Sequence, residues 1–259
     1  VDQNGDVVKF INFIKIYKLN HVPIILALLY VMILAANTPY FAPYPGFFEK
    51  AARADVFVLL DTVQFPQGTT WISRNRFKSA SGSLWVTVPV WKKGRGLQRI
   101  EEVRICYEGG WETKLLQSLV HAYQHAPFFE EHYGVWEEAV KRRYERLLDL
   151  NRLLIAHLMD ALGIVTRVVR LSDLGIEERG DALLVELCRS LGADTYLVQQ
   201  AAASHLDSAR FRDAGLELCF FRPASPVYPQ LWGSFVGNLS TFDLLFNCGP
   251  KARNYIRKE

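Results

Sequence analysis

Apolar residues fall into short unbroken runs near both ends of the chain and into helical spacing in its middle. "MILAA" (32–36) and "DVFVLLD" (55–61) are apolar almost throughout and stop at a polar residue, the pattern of strands covered on both faces of a parallel sheet. Between them lie a proline-rich segment, "PYFAPYP", and "GFFEKAARA", which predicts a helix of about two turns. Strand, loop, helix and strand make a βαβ unit with right-handed crossover. Residues 62–82 read as an irregular polar loop containing "WISRNRFK". "SLWVTVPV" and "IEEVRI" then predict strands about a basic turn, "KKGRGLQ", as a small antiparallel excursion.

The period changes to 3.6 in "WETKLLQSLVHAYQHA" and in "VWEEAVKRRYERLLDLNRLLIAHLMDALG". The second predicts one long amphipathic helix stopped at Gly163. Alternation of β and α then returns: "TRVVRLSDLG" as strand, "DALLVELCRSLG" as helix ending at Gly192, "DTYLVQQ" as strand, a short helix around 206–213, and "LELCFFR" as strand. The tail 239–256 reads as helix broken at "NCGP". The whole predicts an α/β fold, a doubly wound, mostly parallel (Rossmann-like) sheet with a central helical insertion.

Ligands of open α/β sheets bind beyond the carboxyl ends of the strands. Asp61 stands at such an end, and the segment after "MILAA" leaves its strand at the same edge. Proline fixes φ and removes a donor, so Pro39, Pro43 and Pro45 are assigned to a rigid loop outside regular structure. That loop, with Tyr40 and Tyr44, reads as the rim of a pocket, ordered before a ligand arrives. Asp61 is either a proton-handling group there or a cap on the next turn. His205, just after "DTYLVQQ", is the better acid–base candidate among the histidines, against an ordinary loop histidine.

"RNRFK" places Arg74, Arg76 and Lys78 at alternate positions, so an extended segment projects all three from one face. Arginine recognises phosphate or carboxylate in a planar, bidentate way. With Trp71 close by, the segment reads either as a hold on an anion bearing a stackable ring or as a solvated charged loop. His121 and His125 have i, i+4 spacing, but position 122 is Ala and no third ligand follows. No structural metal and no cofactor are expected.

Composition narrows the classes. The 259 residues are 50% hydrophobic and 22% charged, with a net charge of +3. That is globular and too balanced to wrap nucleic acid. Cys106, Cys188, Cys219 and Cys248 are scattered, which suits reduced thiols in the cytoplasm. "VPIILALLYVMILAA" (22–36) is short for a membrane span, and membrane association is not expected. It reads either as a signal-peptide core or, as preferred, as an extension (1–31) running into the first strand of a single domain (32–259).

The ordered set "PYFAPYPGFFEKAARADVFVLLDTVQF", "WISRNR", "LWVTVPV" and "NLSTFDLLFNCGP" resembles the WbqC-like family of bacterial proteins, from about Met32 to Ile256. The resemblance implies a part in O-antigen (lipopolysaccharide) and other surface-polysaccharide biosynthesis. It also carries over polar positions: Asp61, Gln64, Trp71, Arg74, Asn75 and Arg76, then Tyr228, Gln230, Asn238, Ser240, Asp243 and Asn247. The chain departs from the family pattern at Asn37-Thr38, where Gln is usual before the proline. It departs again at Thr62, where a second Asp is usual, and at Ser73, where Asn is common. Paired carboxylates are thus absent at 61–62. On this resemblance the leading expectation is a transferase moving an acyl or aminoacyl group onto an amino-sugar nucleotide. Arg74 and Arg76 would clamp the pyrophosphate, Trp71 or Tyr44 would stack, and Asp61 or His205 would move the proton. The alternatives are a non-catalytic nucleotide-sugar binding or scaffold protein of the same pathway, and a nucleotidyl-transfer enzyme.

Overall fold

The computed structural model describes residues 31–256, so the expectations about residues 1–30 lie outside it. Five short strands form one parallel sheet: β1 (Ile33–Asn37), β2 (Val56–Leu59), β5 (Arg167–Arg170), β6 (Thr195–Gln199) and β7 (Glu217–Phe221). Their order is β5-β2-β1-β6-β7. β1 lies at the centre, pairing Leu34 with Val56 on one side and Ile33 with Thr195 on the other. The chain winds outward from β1 through β2 to β5, then returns to β6 and β7. The doubly wound expectation therefore holds, and the switch point lies between β1 and β6, where such sheets open a crevice.

Helix α1 (Pro45–Ala52) connects β1 to β2. Pro45 is its first residue, against the expectation that all three prolines lie outside helices. The first helical N–H has no partner within the helix and proline's φ is preset, so nothing is lost there. Between β2 and β5 the chain inserts a hairpin of β3 (Arg74–Ser79) and β4 (Gly82–Thr87), followed by α2 (Trp111–Tyr123), α3 (Phe129–Arg142) and α4 (Leu147–Ala161). After β5 come α5 (Gly180–Leu191) and α6 (Ser208–Asp213), and after β7 come α7 (Thr241–Cys248) and α8 (Arg253–Ile256).

Three expectations fail here for identifiable reasons. "RNRFKS" is strand rather than loop, because Asn75 and Phe77 alternate with the cations and are buried beneath them. The long amphipathic run is two helices, interrupted at Arg143 with φ of +46°. Backbone pairing draws the next residues aside: Ile105 donates to the Glu145 carbonyl at 3.0 Å and Leu147 to that of Val103 at 2.9 Å. "IEEVRI" supplies that pairing only in its second half, since Ile100–Glu102 is a 3-10 turn.

The core between the hairpin and the inserted helices is aromatic. Phe77 and Phe41 both meet Trp136 edge-on, and Trp136 packs on Phe242 with centroids 4.7 Å apart. This core grips the proline loop from below. Buried Asn75 donates from Nδ2 to the carbonyls of Phe41 (3.1 Å) and Ala42 (2.7 Å). Asn151 Nδ2 donates to those of Pro39 and Ile72, at 2.8 Å each. Ala42 is held at φ +43°, a left-handed conformation that costs about 1 kcal/mol or more outside glycine. Gly46 permits a close approach to the same loop. A Cβ there would lie 2.6 Å from both the Tyr44 ring and Pro223.

Candidate functional site

A cleft of ≈450 Å³ opens beside the β1–β6 switch point, with walls from three separate stretches of chain. The proline loop supplies Tyr40 and Tyr44, the approach to β3 supplies Trp71, Asn75 and Arg76, and the segment after β7 supplies Pro223, Ser225 and Asn238. Six of the residues singled out in the sequence thus meet in one place.

Arg76 is its one cationic wall. β3 register sets Arg76 opposite Trp85, and its Nη2 donates to the Asn238 carbonyl at 3.2 Å. Its Nε is buried without a hydrogen-bond partner. The guanidinium carbon lies 6.0 Å from the Trp71 ring centre. Trp71 and Trp85 stack at 5.6 Å, and Arg74 covers Trp85 at 3.6 Å. Among the described residues neither arginine pairs with a carboxylate. Two half-exposed tryptophans and two cations with no counter-charge therefore rim the cleft, although only Arg76 and Trp71 line it. Tyr44 points its phenol to β6, where Gln199 Nε2 donates to it at 2.8 Å. Burial raises the Tyr44 pKa above its ordinary value, and the Gln199 hydrogen bond offsets part of this.

Asn238 has φ of +54° and is held by a buried polar network behind the cleft. Asp243, fully buried on α7, accepts from Tyr123 Oη (2.6 Å), Tyr228 Oη (2.8 Å) and Gln230 Nε2 (3.0 Å). The Gln230 amide also grips both backbone groups of Val236 and accepts from Lys78 Nζ at 3.1 Å, closing the loop that leads to Asn238. Burial pushes the Asp243 carboxyl up, with the tyrosine hydrogen bonds and Lys78 pulling it back. Burial likewise lowers Lys78, against the attraction of Asp243. Lys78 thus leaves the row of Arg74 and Arg76 for the interior.

The other candidates lie away from the cleft. Asp61 is fully buried, and its two oxygens accept the Ser172 N–H (2.9 Å) and Oγ–H (2.7 Å), tying the end of β2 to the turn after β5. Gln64 forms a β-bridge with Arg99 and lines a second cleft of ≈640 Å³. His205 is exposed at the end of a 3-10 turn. Tyr228 is spent on Asp243, and Ser240 caps α7 through the Phe242 N–H. His125 falls beyond the last residue of α2, so it shares no helix face with His121. Among the described residues no group of three or more His, Cys, Asp or Glu could hold a metal ion, and no helix is long and apolar enough to cross a membrane.

Sequence reasoning missed Ser225, Pro223, Gln199 and Trp85. Gln199 was findable, since it ends the strand that must flank β1 at a switch point. Trp85 was findable once β3 and β4 are paired. Ser225 and Pro223 lie in irregular backbone with no periodic pattern.

Comparison with known proteins gives a consistent placement. An uncharacterised Mycobacterium tuberculosis protein, Rv1507c, is 32% identical over 221 residues, which is 84% of this chain and 94% of that protein. No solved structure matches. The WbqC-like protein family model matches residues 38–255, from the proline loop through the cleft walls to the last helix. The chain belongs to the WbqC-like protein family.

Proposed function

We propose that the cleft binds an anionic, ring-bearing small molecule of the nucleotide-sugar class. On this reading the protein serves surface-polysaccharide assembly in the cytoplasm as a transferase acting on an amino-sugar nucleotide. The observation that carries the binding is Arg76, a cation without a counter-charge, its Nε buried and unpartnered, beside the Trp71 ring. Arginine donates to phosphate or carboxylate in pairs, and an aromatic face accepts a flat ring by stacking. The four free cysteines suit a reducing compartment.

A second reading is a binding or scaffold protein of the same pathway. It draws on the absence of any carboxylate, imidazole or thiol among the residues lining the cleft. Acid–base work by Asp61 gains no support from a carboxylate engaged twice by Ser172.

Isothermal titration with uridine diphosphate N-acetylglucosamine, other nucleotide-sugars and free nucleotides tests the binding. Arg76→Ala should weaken it by about 1.5–3 kcal/mol with the melting temperature kept, and Arg76→Lys should recover only part, because an ammonium lacks the planar fork. Unchanged affinity in Arg76→Ala refutes the reading. Mass spectrometry after incubation with an amino-sugar nucleotide and an acyl donor separates transferase from scaffold.

A further inference from the structure

We infer that the cleft holds an oxyanion site whose donors are the Tyr44 hydroxyl, the Arg76 guanidinium and the Asn238 side-chain amide, with Gln199 acting as a positioning residue that turns the first toward the ligand. This rests on the ligand-binding reading above and deepens it. A phenol has one proton to give and lone pairs to accept with. Gln199 Nε2 already donates to the Tyr44 oxygen at 2.8 Å, so the phenol's own proton must go elsewhere. No acceptor for it exists among the described residues, and Tyr44 lines the cleft. Burial holds this phenol above its ordinary pKa, so at neutral pH it is protonated and donates.

Further donors stand in the same wall. Asn238 Oδ1 accepts from Ser225 Oγ at 3.2 Å, and its carbonyl accepts from Arg76 Nη2, which leaves its side-chain N–H groups over. Asn75 spends Nδ2 on two carbonyls and Oδ1 on the Arg76 N–H at 2.8 Å. The Arg76 side chain lines the cleft, and among the described residues it pairs with no carboxylate. Three donors in one wall are matched best by a group that can only accept, a phosphate or carboxylate. A neutral sugar hydroxyl, which must also donate, gains less there. Tyr44 is then a hydrogen-bond donor to the anion rather than a stacking surface, and the stacking falls to Trp71.

The experiment is titration calorimetry on wild type, Tyr44→Phe, Gln199→Glu and Arg76→Ala. The probes are uridine diphosphate N-acetylglucosamine (phosphate), glucuronate (carboxylate) and N-acetylglucosamine (neutral). Wild type should bind at least one anionic probe, and which one it binds assigns the oxyanion. It should not bind the neutral sugar. Tyr44→Phe should weaken that binding about 10- to 100-fold. Gln199→Glu should match or exceed this loss, because its carboxylate accepts the phenol proton and turns it from the ligand. Its deficit should shrink as pH falls toward the ordinary glutamate pKa of about 4.3, where a carboxylic O–H again donates to Tyr44. The same change made in Tyr44→Phe measures charge repulsion alone, so the deficit must be larger when the phenol is present. Should Tyr44→Phe destabilise the fold, Gln199→Glu, which keeps the phenol, decides alone. If both variants bind as wild type does while Arg76→Ala loses binding, this inference falls and the binding reading stands. If wild type binds no anionic probe, or Arg76→Ala binds normally, both fall.

Discussion

Asp243→Asn tests whether the loop behind the cleft hangs on one carboxylate. In the native protein Oδ1 accepts from Tyr123, while Oδ2 accepts from Tyr228 and Gln230. An amide of the same shape offers one oxygen and one NH₂. If the oxygen stays with Tyr228 and Gln230, the NH₂ meets Tyr123, whose oxygen already accepts the Lys78 backbone N–H at 2.7 Å. The Tyr123 hydroxyl proton then has no acceptor in a fully buried site. In the opposite orientation, NH₂ faces both the Tyr228 hydroxyl and the Gln230 amide. The first arrangement is the cheaper. It loses a charge-assisted hydrogen bond and strands one buried hydroxyl, together about 2–4 kcal/mol. Urea unfolding followed by tryptophan fluorescence measures this directly, with the slope checked for constancy. Slackening the loop that ends in Asn238 should also weaken binding of the anionic probe. A loss under about 0.5 kcal/mol, the range of ordinary surface changes, would refute the reasoning.

Two further outcomes follow from buried groups. Lys50, nine-tenths or more buried with the Ala36 carbonyl as acceptor at 2.6 Å, is lowered by burial to about 8. Its folded pKa lies below its unfolded one, so stability is least below about pH 8 and rises until the unfolded lysine titrates near 10.4. Lys50→Met should therefore be as stable as wild type or more so at pH 7, and should abolish that rise. Thermal melts of both proteins at pH 7 and pH 10 check this, and an equal rise in the two would contradict it. Gly46→Ala sets a Cβ 2.6 Å from Pro223 and from the Tyr44 ring, neither of which is a flexible chain end. It should cost about 1–3 kcal/mol and weaken probe binding, whereas an unchanged melting temperature would show that the loop yields freely.

The sheet was legible because its three central strands are buried on both faces: β1, β2 and β6 read as apolar runs with no competing pattern. Arg76, Trp71 and Tyr44 were each singled out from the sequence, and the structure gathers them along one cleft. Asp61 lies outside the cleft for a reason the sequence conceals. Position at a strand's end is visible in sequence, but the partner that consumes a side chain is not, and Ser172 lies far along the chain from Asp61. Lys78 shows the same limit. Alternation assigned it correctly to the face of Arg74 and Arg76, and only Gln230, brought from the other end of the chain, draws it inside. The Arg143 break was hidden because both helices share one amphipathic pattern, and the interruption is imposed by backbone pairing to residues 103–105.

The central position of β1 has a consequence for how the protein is made. Ile33 pairs with Thr195, so the first of these strands to leave the ribosome lacks one neighbour until β6 emerges. At elongation rates of about 5–20 residues per second, the interval is about 10–30 s. During that time an apolar edge stands open to any other extended segment. The hairpin and inserted helices, whose contacts are more local, can form meanwhile, but the sheet closes late, and slow, non-local pairing of this kind favours misassembly at high synthesis rates. Overexpression should thus be limited by the wait for β6 rather than by the stability of the finished fold.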